Sequence, residues 1–306
     1  MHTCAIVNPV AGGGAVRQQW PTLLPRLLAV SNRLTVRWTN TRGDATCITR
    51  RALREGCDRI VAVGGDGTLH EVVNGFFEDG TLIHPTAVCA QIPCGTGSDL
   101  RRSLDLPTGP DPVMRLRDAP VRPIDLLRIK HRRADGWATT HAINIASIGL
   151  SSAVVRNVNR PGPRLVGGRL RYLGAILRSL VHHRPVEVNL TLDETPLPAP
   201  VAHLIAVANG HTFGAGLRIA PAARLNDGVL DVTVLGAAPI PTLLRHAHRF
   251  YRGTHPALPF VSTYRGQRLT LEPNGPSPVW LEADGELIGR LPATIEVLPG
   301  RLQLQA

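Results

Sequence analysis

The stretch Arg59-Ile60-Val61-Ala62-Val63-Gly64-Gly65-Asp66-Gly67-Thr68-Leu69-His70-Glu71-Val72-Val73-Asn74-Gly75 decides how the first third of this chain is read: an apolar strand, a glycine turn holding one aspartate, then an amphipathic helix. Glycines let a backbone adopt positive φ and approach a ligand closely, and the amides that open a helix point at anions with the helix dipole behind them. Asp66 in such a turn is no phosphate ligand. It makes chemical sense if Mg²⁺ rides on the phosphates, or if a proton has to be taken. The same residues also describe an ordinary strand-to-helix turn with Asp66 as N-cap, and the motif alone does not separate the two readings.

Outward from this stretch, short β-branched runs at 4–7, 34–38, 60–63 and 86–92 alternate with helical periods at 16–28, 45–54, 69–77 and 98–104. That alternation predicts an α/β domain built on a parallel sheet with helices on both faces, and ligands outside the carboxyl ends of its strands. Three glycine-rich loops occupy such ends: Asn8-Pro9-Val10-Ala11-Gly12-Gly13-Gly14, Gly64-Gly65-Asp66-Gly67-Thr68, and Pro93-Cys94-Gly95-Thr96-Gly97-Ser98-Asp99. Three on successive strand-to-helix corners predict convergence on one crevice.

Beyond Pro112, alternating runs at 186–193, 201–208, 229–235 and 268–272 with Pro/Gly turns predict a second, mainly antiparallel β-rich domain. The division expected is 1–123 for the nucleotide domain and 124–291 for the β-rich one, with 292–306 packing back on the first. Residues 164–183 read as one long helix carrying Arg164, Arg169, Arg171 and Arg178, either a packed helix with a solvated charged face or one lying on an anionic membrane. Two acidic motifs follow, Asn226-Asp227-Gly228 and Asp284-Gly285-Glu286. A hairpin turn explains either Asp-Gly pair. Glu286 is surplus to a turn, and a carboxylate at a strand entrance is where a general base belongs.

With 306 residues, 43% apolar and 19% charged, the chain suits two globular domains, each with its own core. No apolar run approaches the roughly 20 residues needed to span a bilayer, and the start carries no charged leader, so a cytoplasmic location is expected. Five cysteines, odd in number and without a C-x-x-C pair, read as reduced thiols. The net charge of +11 calls for a polyanionic neighbour: nucleic acid, nucleotide or anionic membrane surface. With aromatics at only 4% and no recognised module, nucleic acid is not the expected partner. Lys130 is the single lysine, and no Gly-Lys-Ser/Thr occurs, which excludes a Walker-type P-loop.

Taken together, Asn8-Pro9 followed by Gly12, Thr39 five residues before Asp44, the Gly64 to Thr68 turn, Gly95-Thr96-Gly97-Ser98-Asp99-Leu100-Arg101-Arg102-Ser103-Leu104, Asn226-Asp227-Gly228 and Asp284-Gly285-Glu286 resemble the diacylglycerol kinase catalytic family. That family includes bacterial lipid kinases, sphingosine kinases and ceramide kinases, and the resemblance runs over essentially the whole chain. It implies an ATP- and Mg²⁺-dependent lipid kinase acting on a lipid such as diacylglycerol. It also implies a nucleotide domain resembling phosphofructokinases and NAD kinases, with the active site between the two domains. ATP phosphates would lie against Asn8, Pro9, Gly12, Gly64, Gly65, Asp66, Gly67, Thr68, Leu69 and His70, with Thr39, Gly95 and Thr96 as further nucleotide contacts. Asp66 would be tied to the catalytic Mg²⁺. A structural Mg²⁺ would sit on Asp227 with the carbonyls of Arg224 and Val229, and Glu286 would accept the proton, with Asp66 as rival base. Two departures stand out: Ser98 where asparagine is usual, and His70 where asparagine is common. A water-insoluble acceptor further implies peripheral contact with an anionic membrane surface and an apolar cleft, expected around 148–155 and 207–219. The alternatives are a soluble NAD kinase-like enzyme, which shares the Gly-Gly-Asp-Gly-Thr turn, and a nucleotide-binding regulator without turnover.

Overall fold

The computed structural model describes residues 1–94, 99–106, 111–158, 174, 178–180, 183–198, 201–214 and 216–306. The helix expected over 164–183 falls largely outside them, as do Gly95 and Thr96. The chain divides into two compact units, Met1–Leu126 with Pro299–Ala306, and Leu127–Leu298.

The first unit alternates strand and helix: β1 (His2–Val7), α1 (Ala15–Ala29), β2 (Arg33–Trp38), α2 (Asp44–Arg54), β3 (Arg59–Gly64), α3 (Asp66–Gly75), the short pair β4 (Phe77–Glu78) and β5 (Thr81–Leu82), β6 (Val88–Pro93), α4 (Asp99–Ser103) and α5 (Pro112–Asp118). β1 pairs in parallel with β2 and β3, β3 with β6, and β6 with the C-terminal residues Gln303, Leu304 and Gln305. These strands are apolar at nearly every position because helices cover both faces. Ala5, Val7, Val61, Val63, Ala90 and Ile92 pack against α1 and α5, while Cys4, Ile6, Ile60 and Ala62 are fully buried on the opposite side.

One polar residue ties this unit together. Arg59, 1% exposed, donates to Thr3 Oγ1 (3.2 Å), the Leu116 carbonyl (2.6 Å), Gln305 Oε1 (3.1 Å), the Val30 carbonyl (3.1 Å) and Ser31 Oγ (3.4 Å). Burial depresses its basicity. Its acceptors are neutral, and they belong to β1, the end of α1, α5 and the C-terminal strand.

The second unit is β-rich. The chain enters it along β7 (Val121–Arg133) and continues through β8 (Gly136–Ala142), β9 (Ile145–Gly149), α6 (Leu150–Val158), β10 (Val186–Leu192), β11 (Thr195–Leu197), β12 (Val201–Ala208), β13 (Leu230–Gly236), α7 (Ile240–Arg252), β14 (Val261–Gly266), β15 (Arg268–Pro273), β16 (Trp280–Ala283) and β17 (Glu286–Gln305). Antiparallel pairs run from β12 to β9, β16, β17, β15, β10 and back to β12. This closed circuit leaves few free edges. Side chains alternate along it: Ile205 and Val207 point into a core with Ile148, Val188, Leu271, Leu281 and Ile295, while Leu204, Ala206 and Ala208 face outward under Ile219, Leu243 and Phe250. Ile148 and Val207 are each 1% exposed. These two residues belong to the core.

Two stability predictions follow from these cores. Replacing Arg59 with methionine leaves several buried acceptors unpaired and is expected to cost about 3 kcal/mol in urea unfolding; a loss under about 0.5 kcal/mol would contradict the role given to it. His131, His183 and His255 all have their basicity lowered by burial, His131 to about 4. Unfolding lets them take up protons, so stability should fall as pH drops from about 6.5 toward 4. A flat stability profile across that range would overturn the assignment, and His131→Gln should flatten it in part.

Candidate functional site

The carboxyl ends of β1, β3 and β6 lie side by side, and the described residues that follow them meet there. Asn8, just past β1, donates its backbone N–H to the Val63 carbonyl (3.0 Å) and its side-chain amide to Thr68 Oγ1 (3.0 Å), while its Oδ1 accepts the Val10 N–H (3.2 Å). Gly12 takes φ +62°, and a Cβ there would lie 2.3 Å from the Cys94 carbonyl oxygen. Cys94 in turn donates its N–H to the Gly64 carbonyl at 3.0 Å. Thr39, buried at the end of β2, donates its N–H to the Val7 carbonyl at 3.0 Å. The structure thus brings Asn8, Gly12, Thr39, Gly64 and Thr68 to one end of the sheet. Asp66, two residues on from Gly64, has the Asp99 N–H at the start of α4 3.5 Å from its Oδ2. Leu69 and His70, within α3, are buried.

The Gly64 to Thr68 turn works differently from the positive-φ expectation. Positive φ occurs at Gly12, Gly13 and Gly14, but not at Gly64, Gly65 or Gly67. The requirement at Gly64 is space: a Cβ would sit 2.5 Å from Thr68 Oγ1, the hydroxyl that receives the Asn8 amide. The N-cap of α3 is Gly65, in extended conformation, and no side chain caps this helix end. Asp66 is the first helical residue, so the simple N-cap reading does not describe it.

On the second unit, Asp284 (φ +51°) and Gly285 (φ +82°) form a two-residue hairpin turn between the paired residues Ala283 and Glu286. The Asp284 carboxylate reaches back to accept three amides, from Ile143 (3.0 Å), Asn144 (3.0 Å) and Ile145 (3.2 Å). Glu282, 2% exposed, accepts the Ser147 hydroxyl and the Gly285 N–H (3.0 Å), and Ser147 lies 2.6 Å from Ser151 Oγ. Asn144 donates to the Thr212 carbonyl at 2.8 Å. Glu286, half-buried at the start of β17, therefore stands on a turn held at both shoulders. Sequence reasoning missed Asn144, Ser147 and Glu282. Their signal was polar residues inside otherwise apolar strand runs.

Asp227 is no hairpin turn. Its Oδ1 accepts the Val229 N–H (3.2 Å), an Asx turn leading into β13, and its Oδ2 meets the Arg265 guanidinium at 2.5 Å. Arg265 also pairs with Asp231 (3.2 Å), its cross-strand neighbour, whose carboxyl burial pushes up against the opposing pull of that arginine. Each Asp227 oxygen keeps a further lone pair, and the Arg265 side chain is half exposed, so these contacts leave the carboxylate able to take a divalent ion. The donor set around Asp66 is of the same kind. Carboxylate, hydroxyl and amide oxygens of Asp66, Thr68 and Asn8 are hard donors of the kind Mg²⁺ takes when phosphates and water supply its remaining ligands. Among the described residues no three of His, Cys, Asp and Glu gather as a metal cage.

The second unit also holds a cavity of about 150 Å³ lined by Gly149, Ser152, Arg156, His183, Arg184 and Trp280, with the Arg156 guanidinium 5.2 Å from the Trp280 ring centroid. Its wall is more cationic than a bare acyl chain would need. Among the described residues no helix is long and apolar enough to cross a membrane.

Comparison with known proteins gives two family matches, the diacylglycerol kinase catalytic domain over residues 2–129 and the YegS C-terminal NAD kinase beta sandwich-like domain over 144–306. The chain is 31% identical to a diacylglycerol kinase of Mycobacterium tuberculosis over 98% of its own length and 93% of the relative's. It is 30% identical to a probable lipid kinase, YegS-like, of Stenotrophomonas maltophilia, with coverage of 89% and 86%. A crystal structure described as a diacylglycerol kinase from Bacillus anthracis shares its fold with a TM-score of 0.73 at 21% identity, covering 99% of this chain and 96% of that one. Motifs, fold and relatives agree: the chain belongs to the diacylglycerol kinase catalytic family, with a YegS-type C-terminal domain.

Proposed function

We propose that this chain transfers the γ-phosphoryl group of ATP to the hydroxyl of a lipid such as diacylglycerol. The observation that carries the reading is the convergence of the glycine-rich corners after β1 and β3 at Asn8, Gly12, Gly64 and Thr68, with Cys94 after β6 against Gly12, in a chain whose relatives are named as lipid kinases. Transfer of a phosphoryl group needs positioning and charge neutralisation more than covalent help. Backbone N–H groups of the 8–14 corner and of the α3 N-terminus supply neutralisation without a P-loop lysine. Asp66 and Thr68 are the residues that would hold Mg²⁺. Bound there, the ion would neutralise phosphate charge as the bond to the leaving oxygen weakens.

Glu286 is the proposed proton acceptor. Asp284 and Glu282 fix the backbone on which it stands, so its carboxylate loses little freedom when a hydroxyl approaches. An alcohol is a weak acid, and the base need only take the proton late, as the new P–O bond forms. Thr39, Gly95 and Thr96 are proposed as further nucleotide contacts. The domain reading, with nucleotide taken by the first unit and lipid by the second, belongs to the same proposal, as does action at the cytoplasmic side of a membrane.

The proposal is tested by following labelled γ-phosphate from ATP to diacylglycerol in mixed micelles. Glu286→Gln is expected to lower kcat by about 10²- to 10⁴-fold with nucleotide affinity and melting unchanged. Asp66→Asn should lower kcat and raise the Mg²⁺ concentration needed for half-maximal rate. Full activity in both variants would remove both residues from the mechanism. A structural Mg²⁺ on Asp227 with the carbonyls of Arg224 and Val229 belongs to the same proposal: the nucleotide-free protein should melt higher in Mg²⁺ than in EDTA, and Asp227→Asn should abolish the difference. Equal melting in the two would remove the ion from Asp227.

A further inference from the structure

Residues 232–271 contain no aspartate or glutamate but carry Arg245, Arg249, Arg252, Arg265 and Arg268. In the middle of this run lies α7, thirteen residues without an acid. Its inward side is fixed: Leu243 and Phe250 are buried with Ile219, Leu258 and Val261, and the Phe250 ring stacks on His255. Its apolar sector does not stop there. Leu244 is 52% exposed and Tyr251 55% exposed, one of the largest apolar exposures on the unit.

At about 100° per residue, Leu244 and Tyr251 point within about 20° of each other, and Arg245, Arg249 and Arg252 all fall on the flank away from the buried side. Arg218 lies at the helix's C-terminal end, where its N–H bonds the Phe250 carbonyl at 2.9 Å. None of these four arginines makes an ion pair among the described residues. A helix with an apolar strip left in water, a tyrosine at its end and an uncompensated row of guanidinium groups beside it has the make-up of an interfacial helix. Arginine prefers phosphate, and tyrosine prefers the headgroup level, where one end is apolar and the other wet.

We infer that α7 is the surface by which this protein docks on an anionic bilayer, with Leu244 and Tyr251 entering the headgroup boundary and Arg245, Arg249 and Arg252 meeting lipid phosphates. The inference deepens the proposed function, since a kinase of a water-insoluble alcohol has to work at such a surface, and it rests on that reading. The occupant is a membrane and not a soluble polyanion because the arginines flank an exposed apolar strip that a free phosphate would leave in water.

The test compares the full chain with two variants, Leu244→Ser/Tyr251→Ser and Arg245→Gln/Arg249→Gln/Arg252→Gln, in sedimentation with phosphatidylcholine vesicles with and without phosphatidylglycerol. All substituted side chains are surface groups, and unchanged melting checks the fold. Wild type should sediment only with the charged vesicles, less so as salt is raised. The arginine variant should lose roughly fivefold per residue, about a hundredfold in all. The apolar variant should lose binding at high salt as well as low. Unchanged binding of both variants, equal binding to uncharged vesicles, or a dimer in vesicle-free solution that Leu244→Ser/Tyr251→Ser dissolves would overturn the assignment. Turnover on a short-chain, water-soluble diacylglycerol separates this outcome from the proposed function: it should be the same in all three proteins. No turnover in wild type alongside α7-dependent vesicle binding would defeat the kinase reading and leave the docking surface standing.

Discussion

A missing side chain at Gly64 is the constraint on which the glycine-rich end of the first unit depends. With no Cβ, the end of β3 lets the Thr68 hydroxyl fold back over it, and that hydroxyl takes the Asn8 amide. Any other residue would push α3 away from the strand and separate the first corner from the second. Gly12 applies the same logic one corner over, where positive φ and the nearby Cys94 carbonyl both demand glycine. Helix start, loop and strand end are therefore fixed by contact distance before any ligand arrives. Such preorganisation is what a site that works by positioning requires.

The second unit solves a similar problem with a carboxylate. Asp284 gathers three successive amides that would otherwise point into a tight chain reversal, and Glu282 takes the amide of the next glycine. A carboxylate accepting several N–H groups leaves the turn so satisfied little reason to move. Glu286 inherits its position from these bonds. Arg59 plays the corresponding part in the first unit as a buried donor spread over five acceptors.

Much of the frame was legible from local signals. The strand-to-helix alternation before Leu106, the glycine-rich corners and the β-rich second half all reside in periodicity and turn chemistry over fewer than about twenty residues. What escaped depends on distant partners. Asp284 meets residues about 140 positions earlier, and Asp227 meets Arg265, 38 positions later, so neither role has a local trace. The glycines after β3 suggested positive φ because glycine permits it. Whether φ or space demands glycine depends on what lies opposite, which here is Thr68. α7 passed unremarked although its apolar and basic residues segregate onto separate sides, because an amphipathic period does not tell which part of the apolar side stays in water.

The most direct measurement is transfer of labelled γ-phosphate from ATP and Mg²⁺ to a panel of acceptors: diacylglycerol, sphingosine and phosphatidylglycerol in mixed micelles, and NAD in solution. Label on a lipid, with diacylglycerol foremost, is the result predicted. Label on NAD alone, or ATP bound with no acceptor labelled, would contradict it.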